Sequence, residues 1–173
     1  MRKISTRENT VTTYKLVRIK AGKFYPLFVE CDRELPMGEW LEAGVGKLAG
    51  ENSVTSRIGP LSLRPGWHSC TVPFADWIGK RGKDGRLYQR PDTAWAECVV
   101  EGELVEVKGR RGLRTIPEGW YFFRTNPLQP FPWIISNRIR ITRILPQSEV
   151  KKLCRAAGLE AQPVWEECII RTE

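Results

Sequence analysis

The chain has 173 residues, 41% of them hydrophobic and 28% charged, and its 28 basic against 20 acidic side chains give a net charge of +8. Seven Trp, six Phe and four Tyr supply the apolar volume of one core, which excludes wholesale disorder and a collagen-like repeat. No apolar run approaches the roughly eighteen residues of a membrane span, and Met1-Arg2-Lys3 leads into polar residues instead of a secretory signal, so the expectation is a soluble, cytoplasmic protein without a membrane partner.

Residues 1–10 are polar and are expected to be a flexible amino terminus, followed by a single compact domain over 11–173. Val11–Ile19 and Phe24–Val29 favour strands joined by Ala21-Gly22-Lys23. Glu39–Ala43 has the composition of a short helix stopped by Gly44, Gly46 and Gly50. Residues 50–66 read as loop, Trp67–Val72 as a strand, and Pro73 as the first residue of a helix over Phe74–Ile78. In Ala94–Val107 small apolar residues alternate with Trp95, Glu97, Val99 and Glu101, the pattern of a long strand bent at Gly102. Trp120–Phe123 is dense enough in aromatics to be buried. Trp133–Ile144 alternates Ile with polar residues, interrupted by Asn137 and Arg143, which predicts a bulge or register change. Ser148 caps a helix whose stripe is Val150, Leu153, Cys154 and Ala157, ending at Gly158. The sum is an α+β fold: a strongly bent antiparallel or mixed sheet with two or three short helices.

The positive charge is concentrated. Lys80, Arg81, Lys83, Arg86 and Arg90 face Asp84 alone within residues 80–90, a local +4. Lys108, Arg110, Arg111 and Arg114 form a second +4 segment with no acid. Two such segments suit a polyanion, and two solvated loops that keep the protein soluble look the same. Tyr88 lies inside the first and is a candidate for base stacking, while Arg138 and Arg140 share a strand face that would hold them for phosphate contact. These residues carry the leading expectation, a non-catalytic protein that binds nucleic acid or a nucleoprotein. A protein-interaction module that binds an acidic surface is the alternative from the same charges.

Catalytic patterns are weak. Gly44-Val45-Gly46-Lys47 fails as a phosphate loop, since Leu41 stands where glycine is needed and Leu48 where Ser or Thr would hold magnesium. His68, in Arg64-Pro65-Gly66-Trp67-His68-Ser69-Cys70, is the single histidine; it is a candidate structural, substrate-binding or acid–base group without an identifiable carboxylate partner. Glu97, Glu101 and Glu103 are spread along one strand rather than clustered. Cys31, Cys70, Cys98, Cys154 and Cys168 are odd in number and far apart, which reads as reduced core thiols rather than disulfides or a metal site. No metal and no cofactor are expected from the residues themselves.

Two resemblances add expectations. Tyr14–Arg18, Gly59-Pro60-Leu61, Arg64–His68, Trp95-Ala96-Glu97 and Trp133–Ser136 together resemble an uncharacterised domain found in proteins of gut bacteria, their phages and mobile elements. That resemblance covers most of residues 11–158 and implies a mobile-element context, including action on host defence, without implying a reaction. More distantly, an early strand with Arg18, the Gly-Trp-His segment followed by Ala75, and the Trp133-Ile134-Ile135 strand look like the skeleton of the ADP-ribosyltransferase fold. This implies a second alternative, an active or degenerate NAD-binding protein in which Arg18 holds NAD and His68 lines the nicotinamide pocket. The late strand lacks the glutamate such enzymes often use.

Overall fold

A computed structural model describes residues 9–75 and 77–165. Most of the expected flexible segment 1–10, together with Asp76 and Cys168, lies outside the described residues. The strands, in chain order, are β1 (Thr10–Lys20), β2 (Lys23–Tyr25), β3 (Trp40–Glu42), β4 (Leu48–Gly50) and β5 (Ser53–Val54). They continue with β6 (Leu61–Ser62), β7 (Trp67–Cys70), β8 (Lys80–Arg81) and β9 (Leu87–Tyr88). The last are β10 (Thr93–Glu101), β11 (Trp120–Phe123), β12 (Trp133–Ser136) and β13 (Arg138–Ile144), before α1 (Gln147–Ala156).

The main sheet is antiparallel and runs β11-β12-β7-β1-β10-β13-β3, with β2 also on β1. β1 and β10 pair along nearly their whole length, from Thr10↔Glu101 to Arg18↔Thr93. Only Asn137 separates β12, which pairs with β7, from β13, which pairs with β10. One bent chain segment therefore sits at both ends of the β7-β1-β10 unit, so the path returns on itself. The bend leaves no backbone group at Asn137 unpaired: its N–H donates to Gly119 O and its carbonyl accepts from the Ala43 N–H. It also changes the side-chain parity, so Ile134 before it and Ile139 and Ile141 after it enter the same cluster. The single strand expected over Trp133–Ile144 is thus two strands divided at Asn137, and the ladder irregularity lies between Glu97 and Cys98, opposite Arg143 and Ile141.

Strand alternation divides the core in two. Val17, Trp67, Ala96, Cys98, Val100, Ile139 and their neighbours fill one side of the sheet. Leu16, Cys70 and Trp95 face the other, where Val150 and Cys154 of α1 cover them one helical turn apart. The remaining sheets are small: β4-β5-β6 and the β8-β9 hairpin.

The α+β expectation is corrected. The chain is mostly β, with 38% strand, 6% helix and a single helix among the described residues. Glu39–Ala43 is not helical because β3 is recruited as an edge strand, with Leu41 opposite Ile139 and buried between exposed or half-buried neighbours. Five residues followed by glycines gain too few internal hydrogen bonds to resist such pairing. Phe74–Ile78 forms only a local turn, closed by Ile78 N–H to Ala75 O, while Pro73 is fully buried and its carbonyl receives the Cys154 thiol. Helix α1 does form, but Pro146 occupies the cap position, no side chain caps it, and Ser148 lies in its first turn. Residues 50–66, read as loop, contribute β5 and β6. No helix of the described residues is long and apolar enough to cross a membrane.

Candidate functional site

The two basic segments have different surroundings. In residues 80–90 the β8-β9 hairpin turns over Gly82–Gly85, and its cations are engaged locally. Lys80 lies over the Trp165 ring at 4.6 Å, Arg81 donates to Gly85 O at 2.6 Å, and Arg86 pairs with Glu160 at 3.2 Å. All five cations of the segment are exposed, Lys83 and Arg90 as well as the three with these contacts. Tyr88 is buried, with its ring edge-on to Trp165 at 5.0 Å and its hydroxyl donating to Asp84 at 2.6 Å. That hydrogen bond stabilises the Asp84 carboxylate and holds its pKa below the ordinary value. The Tyr88 ring is packing in the hairpin and offers no free face for a base.

Lys108, Arg110, Arg111 and Arg114 are all exposed. No carboxylate of the described residues forms an ion pair with any of them. Their loop is fixed from beneath: the Leu113 N–H donates to the Tyr121 hydroxyl at 3.0 Å. A Cβ on Gly112 would lie 2.8 Å from the Arg64 side chain and 2.9 Å from that hydroxyl, so glycine lets the loop backbone rest on both. Arg138 and Arg140, on β13, stack over Trp40 at 5.2 and 4.8 Å, and Arg138 also pairs with Glu101. The structure thus places the hairpin against Trp165 and Glu160, the loop against Arg64 and Tyr121, and the arginine pair against Trp40.

Arg64 joins the loop to a cleft of about 610 Å³ whose lining includes Lys15, Arg64, His68, Phe28, Trp95 and Trp133. Lys15 donates to His68 O at 2.8 Å, with its ammonium 5.7 Å from the centre of the Trp67 ring. The residue is half-buried, and desolvation of the ammonium lowers its pKa. The Arg64 guanidinium lies 3.9 Å from the centre of the Phe123 ring, and burial lowers its pKa as well. His68 is held edge-on to Trp133, with Nδ1 3.2 Å from Gly66 O; neutral imidazole donates there. Burial first, then the charges of Lys15 and Arg64, push its pKa down to about 3. Such a histidine is neutral and weakly basic near pH 7. Ser69, beside it in sequence, points to the opposite side of the strand and donates to Ile134 O at 3.4 Å.

Arg18 does not line this cleft. Its guanidinium donates to Cys31 O and stacks 5.5 Å from the centre of the Tyr25 ring. Among the described residues no group of three or more His, Cys, Asp or Glu is gathered as metal ligands. Cys70 and Cys98 have thiol pKa values raised to about 12 by burial, which makes them inert packing groups at neutral pH.

Lys15 and Arg64 were not singled out as site residues from the sequence. Lys15 carried a signal, for it occupies the inward parity of Thr13 and Val17 in a strand where lysine belongs on the wet face. Arg64 carried none, since its role depends on the loop that crosses it at Gly112, far along the chain. No protein-family model matches the chain, and comparison with curated proteins and with solved structures finds no match to either.

Proposed function

We propose that the protein binds nucleic acid, alone or within a nucleoprotein, through phosphate contacts made mainly by the 108–114 loop. The observation that carries this reading is the set of four exposed cations, Lys108, Arg110, Arg111 and Arg114, without a carboxylate partner among the described residues. Cations already paired to carboxylates gain little by exchanging one anion for another, whereas hydrated ones neutralise phosphate and release its counterions. Affinity is therefore expected to be steeply salt-dependent and to vary little with base sequence.

The test is a salt titration of binding to RNA, single-stranded DNA and duplex DNA. It is paired with a variant carrying Lys108→Ala, Arg110→Ala, Arg111→Ala and Arg114→Ala. Binding at low salt that collapses in the folded variant supports the reading. No binding to any polymer, or unchanged binding in the variant, overturns it; capture of a defined acidic peptide by the same loop then identifies an interaction module.

A further inference from the structure

We propose that the cleft lined by Lys15 and Arg64 is a separate binding site for a small organic monoanion with an aromatic body, its anionic group held between these two cations. Lys15 and Arg64 are the cations of the described lining, and no carboxylate of the described residues forms an ion pair with either. Glu30, the one acidic residue in the lining among the described residues, is turned toward Arg33, whose guanidinium is 3.5 Å away, and its carboxylate packs across Gly44. His68, whose protonation burial and both cations oppose, is neutral and adds no charge of its own. A cation withdrawn from water without an acid beside it is costly, and an anionic ligand removes that cost.

The body of the ligand follows from the walls. Leu16, Phe28, Trp95 and Trp133 are apolar or aromatic, and Trp95 is only 2% exposed, so the inner end of the cleft excludes water. The mouth is apolar too: Ile58 and Trp77 line it and are 65% and 58% exposed. A volume of about 610 Å³ lies within the roughly 300–1,000 Å³ range of small-molecule sites. A folded polymer cannot enter such a space, and a strongly hydrated inorganic anion would leave the aromatic walls unused. An aryl carboxylate or sulfonate uses both features. This site stands apart from the phosphate contacts of the loop and does not depend on them.

The probes are 8-anilinonaphthalene-1-sulfonate and its uncharged analogue N-phenyl-1-naphthylamine, titrated calorimetrically into the full chain. The expected result is one sulfonate site per chain, with at least tenfold preference over the neutral probe. Lys15→Met, which keeps an apolar stem and removes the charge, is expected to abolish that preference; Arg64→Met is expected to weaken it. Arg110→Ala with Arg111→Ala is expected to leave it unchanged, which separates this site from the polymer surface. Should Arg64→Met not fold, Lys15→Met decides alone, because replacing a buried charge by an apolar stem of similar volume is often neutral or stabilising. Equal binding of the two probes, no binding of the sulfonate, an unchanged preference in Lys15→Met, or loss of binding in the Arg110/Arg111 variant would each overturn the proposal.

Discussion

Residues 80–90 and 108–114 carry the same net charge in the sequence and differ in what that charge does. The hairpin segment uses three of its five cations, Lys80, Arg81 and Arg86, on its own fold, through Trp165, Gly85 O and Glu160. The loop holds its backbone with Tyr121 and Gly112 and leaves its four cations to water. Equal charge is therefore unequal availability. The sharpest test compares the four-alanine loop variant with a hairpin variant carrying Lys80→Ala, Arg81→Ala and Arg86→Ala. Each lost phosphate contact lowers the slope of log affinity against log salt by about 0.9 on duplex DNA. The loop variant is expected to lose a slope of about 3 to 4 and to bind at least a hundredfold more weakly at moderate salt, whereas the hairpin variant loses a slope of about 1 or less. Equal losses in the two variants would erase the distinction.

The strands were legible where alternation was strong. β1 follows its predicted residues closely, and β10 follows Ala94–Val107 as far as Glu101 and stops at Gly102, because each buries one face in each half of the core. The helices over Glu39–Ala43 and Phe74–Ile78 were not, since local propensity over five residues is smaller than the gain from pairing Leu41 with Ile139 or burying Pro73 under α1. The basic segments could be found by counting, but their partners could not. Arg86 meets Glu160 across 74 residues, and Gly112 rests on Arg64 across forty-eight. Charge is a property of sequence; its pairing is a property of the fold.

A second comparison sets the exposed cations of the loop against the cationic cleft beside it. His68 registers the field in that cleft. Unfolded, it takes up a proton near pH 6.5, but folded it does so only near pH 3. Between those values the unfolded state binds more protons, so the stability contribution is fully present above about pH 6.5 and is lost as pH falls toward 3. The expected limiting slope is roughly 1.4 kcal/mol per pH unit, measured by denaturant unfolding across that window. His68→Asn, which keeps a donor for Gly66 O, should flatten the profile. An unchanged slope in that variant would mean that acid sensitivity lies elsewhere.

The loop and the cleft meet at Gly112, and a single methyl group probes the junction. In Gly112→Ala the new Cβ would lie 2.8 Å from Arg64 and 2.9 Å from the Tyr121 hydroxyl. The Arg64 stem can give way, but Tyr121 is packed at 1% exposure and cannot move as readily. The expected cost is about 1 kcal/mol, at the low end for overpacking, read as a lowered unfolding midpoint. The displaced guanidinium should also weaken aryl sulfonate binding several-fold while leaving the hairpin untouched. Full stability with unchanged sulfonate affinity would show that loop and cleft are not mechanically joined.

The smallest effect is expected at Arg138, and it completes the comparison between used and available charge. This guanidinium pairs with Glu101 and stacks on Trp40, so phosphate would have to compete for a group that already has a carboxylate and an aromatic face. Both members of the ion pair are about one-third exposed, which screens the attraction and limits its worth to roughly 1 kcal/mol or less. Arg140 shares the Trp40 ring and has no carboxylate partner among the described residues, so it supplies the internal reference. Arg138→Ala should lower stability by up to about 1 kcal/mol and change polymer affinity less than threefold. Arg140→Ala should reduce the salt slope by up to about 0.9. A full unit of slope lost on removing Arg138 would mean that its pair with Glu101 opens in the complex. Pairing in the free protein would then be a poor guide to which cations the polymer uses.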